Sequence, residues 1–195
     1  MKQELHFAVA VYSFDIGNVE FNKYLETEIL KWQSEDKGMH RTNIKGWHSN
    51  DNMHTREEYK PLVEDLYRAQ RIIYEEEDYV SEPVLGNMWA NVNPSGASNM
   101  PHMHPNSLWS GVYYIKTPEN CGSLKIEDPR FASLMSMPNR KEPWPKHCVR
   151  EIAYEPVAGR LLMFPSYLMH RVEPNKSNDI RISISFNFLQ KGMYV

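Results

Sequence analysis

Arg181-Ile182-Ser183-Ile184-Ser185-Phe186-Asn187-Phe188 is the stretch on which the reading of the whole chain turns. In an extended strand successive side chains alternate between faces, so Arg181, Ser183, Ser185 and Asn187 share one face and Ile182, Ile184, Phe186 and Phe188 the other. The apolar face predicts a packed core. A polar strand face usually meets solvent. The alternative is a hydrophilic hollow inside a barrel, and the strand alone does not choose between them.

Upstream of this strand, from residue 80 onward, short β-type runs are separated by Pro, Gly and Asn. They fall at 84–92, 108–116, 123–127, 149–154, 160–164 and 169–172, with the last run at 180–189. Regular spacing with turn signals between runs predicts an antiparallel sandwich or barrel. Segment 129–147 carries four prolines and reads as a long excursion over the sheet.

Before residue 80 the pattern is helical. Asn18 is a candidate cap for a helix with Phe21, Leu25, Ile29 and Trp32 on one face, stopping near Lys37-Gly38. A second helix carries the stripe Leu62, Val63, Leu66, Ala69, Ile72 and Ile73. Its start has two readings: Thr55 and Glu58 have capping-box spacing, while Pro61 fits the first turn of a helix that begins at Lys60. The run Glu75-Glu76-Glu77-Asp78 reads as a solvated acidic edge. The expected fold is α+β, one domain over 1–195, with a helix-rich buttress and first strand in 1–80 and a β core in 81–195.

Composition narrows the function classes. The 195 residues are 41% hydrophobic and 24% charged, as in an ordinary globular chain. A net charge of −3 argues against a nucleic-acid footprint. No run approaches the ~18 apolar residues of a membrane span, and the opening MKQELHFAVAVYSF alternates like a strand, without a signal-peptide layout. Cys121 and Cys148 cannot staple a chain of this size. The expectation is a soluble, cytoplasmic protein.

Two histidine groups could carry chemistry. In Pro101-His102-Met103-His104-Pro105 an extended backbone sends His102 and His104 to one side, so both imidazoles can meet one ion; taken alone the pair is weak evidence, and the flanking prolines also fit a surface loop. His170 follows an apolar strand and a Pro165-Ser166 turn, which can aim it inward. Imidazole sets suit iron, zinc, copper or nickel, and the set does not pick the metal.

The stretch from His102 to Ile115, with Asp128-Pro129-Arg130, Phe164 to His170 and Arg181 to Phe186, resembles a group of 2-oxoglutarate/Fe(II) oxygenases near the prolyl-hydroxylase branch. The resemblance spans about residues 84–190, and Gly46-Trp47-His48-Ser49 is similar to an element of the same group. It implies a double-stranded β-helix, a jelly-roll or cupin-like barrel buttressed by the N-terminal helices. It implies Fe(II) on His102 and His170, and Arg181 pairing with the far carboxylate of 2-oxoglutarate, with Ser183 beside it. Arginine suits that task because its planar fork binds a carboxylate through two bonds and stays charged when desolvated. Arg181 is then expected to face a wet cavity, because without an anionic guest its burial is costly.

One departure from the family pattern stands at residue 104, where Asp or Glu usually completes the iron site. His104 is either a neutral third ligand, the favoured reading, or it stands behind the metal while water or Asp128 supplies an oxygen; Asp128 more simply caps a turn or pairs with Arg130. Of Tyr113 and Tyr114 only one can face the pocket, where its phenol can bond the 2-oxoglutarate carboxylate, and Tyr113 is taken as that contact. Asn91, Asn93 and Asn106 could bind cosubstrate or substrate, but turn formation explains each more cheaply. His48 has no partner pattern, except that Trp47-His48 can approach the site mouth.

The activity so implied is oxidative decarboxylation of 2-oxoglutarate to succinate with O2, coupled to hydroxylation of a protein side chain or small metabolite. Two alternatives remain at this level: a three-histidine cupin-type dioxygenase that needs no 2-oxo acid, and a non-catalytic metal-binding jelly roll. Oligomeric state is not legible.

Overall fold

The computed structural model describes residues 1–190. The strand quoted above forms β11 (Arg181–Leu189), paired antiparallel with β4 (Val84–Asn93) on one side and β6 (Trp109–Lys116) on the other. Beyond β6 lie β9 (Arg160–Pro165) and then β1 (Tyr12–Asp15); beyond β4 lies the two-residue β3 (Trp47–His48). A second antiparallel sheet runs in the order β2 (Asn43–Ile44), β5 (Ser98–His102), β10 (His170–Val172), β7 (Leu124–Glu127) and β8 (Glu151–Tyr154). The two sheets face each other as a double-stranded β-helix.

The helices cover the outer face of the first sheet. In α1 (Val19–Glu35) the Asn18 side chain accepts the Phe21 N–H at 2.8 Å, so one of the helix's orphan donors is satisfied as the sequence predicts. In α2 (Lys60–Glu76) Pro61 occupies the first turn, and the expected capping box does not form. Thr55 instead ends a 3₁₀ turn and donates to the Asn52 carbonyl, because a second 3₁₀ turn at Glu57–Tyr59 separates it from the helix. The acidic edge is only partly solvated: Glu77 accepts the Tyr12 hydroxyl at 2.8 Å.

The alternation of β11 sorts the interior. Ile182, Ile184, Phe186 and Phe188 are fully buried and pack with Leu25, Ile29, Leu62 and Leu66 of the helices. Each such side chain contributes roughly 1.5–3 kcal/mol by leaving water. Tyr114, Leu124, Ile126, Leu162, Phe164 and Leu168 form a second, smaller core between the sheets. The excursion after β7 holds two short 3₁₀ turns, Phe131–Ser136 and Lys146–Cys148. At its base Asp128 accepts two bonds from the Arg130 guanidinium, at 2.9 and 2.7 Å, and one from the Arg130 backbone N–H at 2.9 Å, and Arg130 also reaches the His147 carbonyl. No helix among the described residues is long and apolar enough to cross a membrane.

Candidate metal centre

The other end of the space between the sheets is a cavity of about 380 Å³. Register explains its walls. On the first sheet Asn91 is opposite His48 on one side and Ser183 on the other, and Ser183 is opposite Tyr114; all four line the cavity. Asn187, flanked by Asn87 and Ser110, makes a parallel polar row. The Ser110 hydroxyl donates to Asn187 Oδ1 at 2.7 Å, and Asn187 Nδ2 donates to Asn87 Oδ1 at 2.7 Å. The polar face of β11 therefore looks into a hollow.

The second sheet brings the histidines. His102 and His170 are directly paired across β5 and β10, with ring centroids 4.3 Å apart. His104, two residues beyond His102, lies 4.9 Å from His102 and 5.2 Å from His170, and its N–H is tied to the Ser166 carbonyl at 3.0 Å. One ligand atom from each of the three lies within 4.8 Å of the other two.

Their hydrogen bonds decide which atoms are free. His102 Nδ1 meets the Met100 carbonyl at 2.7 Å, and His170 Nδ1 meets the Leu168 carbonyl at 2.8 Å. A carbonyl only accepts, so each Nδ1 carries the proton and donates; each Nε2 keeps its lone pair for an ion. Burial, reinforced by the neighbouring imidazoles, lowers His104 to about 3 and His170 to about 4, and burial lowers His102 as well. Near neutral pH all three are uncharged donors, so a divalent ion displaces no proton from them. The donor set fits a metal. Asp128 takes no part in the cluster, since Arg130 holds its carboxylate and lowers its pKa.

Arg181 is 2% exposed and lines the same cavity. One guanidinium nitrogen donates to the carbonyls of Cys121 and Gly122, at 2.9 and 3.1 Å, and among the described residues no carboxylate pairs with it. Burial lowers its pKa, yet an arginine keeps its proton, so the wall presents a buried cation in need of an anion. Gly122 makes this seat possible: its φ is +87°, and a Cβ there would strike the Glu173 carbonyl.

The expectation for Tyr113 is corrected. On β6 its side chain points to the helices, where its hydroxyl donates to Asn22 Oδ1 of α1 at 2.5 Å, and burial raises its pKa to about 12. Tyr114 takes the cavity side and has no hydrogen-bond partner among the described residues for its hydroxyl. Asn91 is likewise no turn residue but the middle of a wall. His48, without a partner pattern in sequence, is a buried wall residue stacked on Trp89 at 5.3 Å and 8°. Its signal was position beside Trp47 in the Gly46–Ser49 element, which yields only a two-residue strand.

Residues 87–187 match the family described as "Putative 2OG-Fe(II) oxygenase". The chain belongs to the 2OG-Fe(II) oxygenase family. A prolyl-4-hydroxylase of Pseudomonas putida is similar to this oxygenase over 94% of both chains, at 17% identity and a TM-score of 0.67. HygX of Streptomyces hygroscopicus, solved with nickel and 2-oxoglutarate, is similar over 94% of this chain and 84% of its own, at 9% identity and a TM-score of 0.64. A prolyl hydroxylase of Trichoplax adhaerens, solved with a hypoxia inducible factor peptide, gives 12% identity and a TM-score of 0.63 over 93% and 84%. Identities this low carry the fold and nothing finer. Among the curated proteins no match is found.

Proposed function

We propose that this oxygenase holds Fe(II) on His102, His104 and His170 and anchors 2-oxoglutarate on Arg181. The observation that carries the reading is the shared cavity: three neutral imidazoles on one sheet and an unpaired buried guanidinium on the other. Bound Fe(II) supplies the redox chemistry that couples decarboxylation of 2-oxoglutarate by O2 to hydroxylation of a second substrate.

The chain's own part is to bind, orient and shield. The Nδ1–H bonds to Met100 and Leu168 hold two rings in place and leave each Nε2 lone pair free, so these atoms would hold the ion. Arg181 offers its fork to the distal carboxylate, and the hydroxyls of Ser183 and Tyr114 stand beside it as donors. Leu124, Phe164 and Val172 line the adjoining wall and limit water around the bound diacid. With no carboxylate ligand, the protein cancels none of the ion's charge, which favours an anionic cosubstrate. The prime substrate is a protein side chain or a metabolite. Cys121 and Cys148 form no disulfide, which supports a reducing compartment such as the cytoplasm.

Arg181 favours this reading over a three-histidine dioxygenase without a 2-oxo acid, which has no use for a buried cation. Anaerobic titration of the protein with Fe(II) and then 2-oxoglutarate tests it. A saturable visible charge-transfer band is expected, absent in Arg181→Ala although the variant still binds metal. No band, with no saturable 2-oxoglutarate binding by calorimetry, overturns the assignment.

A further inference from the structure

The mouth of the cavity holds polar groups that neither the histidine cluster nor Arg181 engages. His48 is 5% exposed, and its Nδ1–H is committed to the Ser49 carbonyl at 2.6 Å, which leaves Nε2 as an acceptor on a cavity-lining ring. Trp89 is stacked on this ring at 5.3 Å and lies tilted against His104 at 5.8 Å, so His48 and the metal cluster share one aromatic neighbour. In register with His48, Asn91 donates through Nδ2 to Ser185 at 3.2 Å, while its Oδ1 is buried without a partner. Asn91 Oδ1 thus stands against the rule that buried polar groups are paired, and the ring of His48, in register with it, offers Nε2 as a second acceptor.

Two opposite charges stand at the same mouth. Arg41 and Asp51 both line the cavity, and neither forms an ion pair among the described residues. Burial lowers the His48 pKa, and of the two charges Arg41 adds to that fall while Asp51 opposes it. Ser183, in the row that starts at His48, is two strands away, roughly 10 Å across the sheet, so a diacid seated on Arg181 leaves the β3 edge to a second molecule. A guest with only a cation would face Arg41, and one with only an anion would face Asp51 and two acceptors; each is selected against.

We propose that this mouth is the prime-substrate subsite and takes a compact zwitterion, an amine-bearing carboxylic acid such as a free amino acid. The ammonium donates to His48 Nε2 and Asn91 Oδ1 and faces Asp51, and the carboxylate pairs with Arg41. This rests on the oxygenase reading, and it narrows the substrate to a small molecule.

The test is protein-observed NMR on the full chain loaded with Zn(II) and 2-oxoglutarate, following histidine ring and tryptophan indole signals. The probes are the common free amino acids, each also as its N-acetyl amide. At least one free amino acid shifts the His48 and Trp89 signals saturably, and its capped form binds about ten-fold or more weakly. Arg41→Gln and Asp51→Asn each weaken that binding by a similar factor, while 2-oxoglutarate affinity, measured by calorimetry, stays within about two-fold. The proposal is overturned if no free amino acid saturates, if the capped form binds as tightly (the behaviour of a peptide substrate), or if neither variant weakens binding. Loss of 2-oxoglutarate binding in the unmodified protein would instead count against the oxygenase reading itself.

Discussion

The two walls of the cavity solve opposite electrostatic problems. The β5–β10 wall gathers three imidazoles that burial keeps neutral, so it stands without its ion at little electrostatic cost. The β4–β11–β6 wall buries a permanent cation whose hydrogen-bond partners among the described residues are two backbone carbonyls. A neutral cluster waits for a cation; a buried cation is strained until an anion arrives. The metal wall is therefore expected to be indifferent to 2-oxoglutarate in its folding stability, and the arginine wall is not.

The largest effects lie on the metal wall. His102→Ala and His170→Ala should each weaken Fe(II) or Zn(II) binding by more than about 100-fold and abolish succinate formation, read by calorimetry and product assay. His104→Asp, which adds one negative charge to the cluster, should keep metal binding. If it kills binding while His104→Ala does not, His104 is no ligand.

The next effect separates the walls. Arg181→Met should raise the 2-oxoglutarate dissociation constant by about 30-fold or more and leave metal affinity unchanged. In the absence of 2-oxoglutarate the same variant should unfold no more easily than the parent, and up to ~1–4 kcal/mol less easily, because it removes an uncompensated buried charge. Urea unfolding with and without the diacid reads both. Destabilisation of the ligand-free variant would mean that the two carbonyls already satisfy Arg181.

A smaller effect is pH. His104 and His170 are depressed from 6.5 to about 3 and about 4, so the unfolded chain binds protons that the folded chain refuses. Stability of the metal-free protein should be full above pH ~6.5, fall as pH drops from there, and level off near the folded values. His104→Gln should flatten that fall in urea unfolding between pH 7 and pH 4.5. An unchanged slope would show that other groups set it.

The contrast between the walls was half legible in sequence. The period-two pattern of β11 sorted its residues onto two faces, but that the polar face meets a hollow followed only from the resemblance around Arg181. His102 and His104 were visible as a pair, but nothing local says that β10 brings His170 into register with His102. The β2 and β3 strands are two residues each, too short for any periodicity, so His48 could not be placed. The capping box failed because 3₁₀ turns and Pro61 set the start of α2 without it. In Tyr113-Tyr114 the period fixes that the pair splits, not which member goes inward. That choice depends on the β6–β11 register, which shifts between Ile182 and Ser183, and on Asn22 waiting on α1.

The tyrosine pair accordingly gives the finest test. Tyr113→Phe removes the donor to Asn22, which is 9% exposed, and leaves that amide short of a partner; it should cost about 1–3 kcal/mol of stability without touching 2-oxoglutarate affinity. Tyr114→Phe removes a hydroxyl that has no protein partner among the described residues, so unfolding should barely change, while 2-oxoglutarate binding weakens by about ten-fold or more, the worth of one hydrogen bond to a charged group. Measured side by side by urea unfolding and calorimetry, the two variants should show opposite profiles. The same profile in both would mean that β6 does not divide its side chains between core and cavity, and with it the polar wall would lose its register.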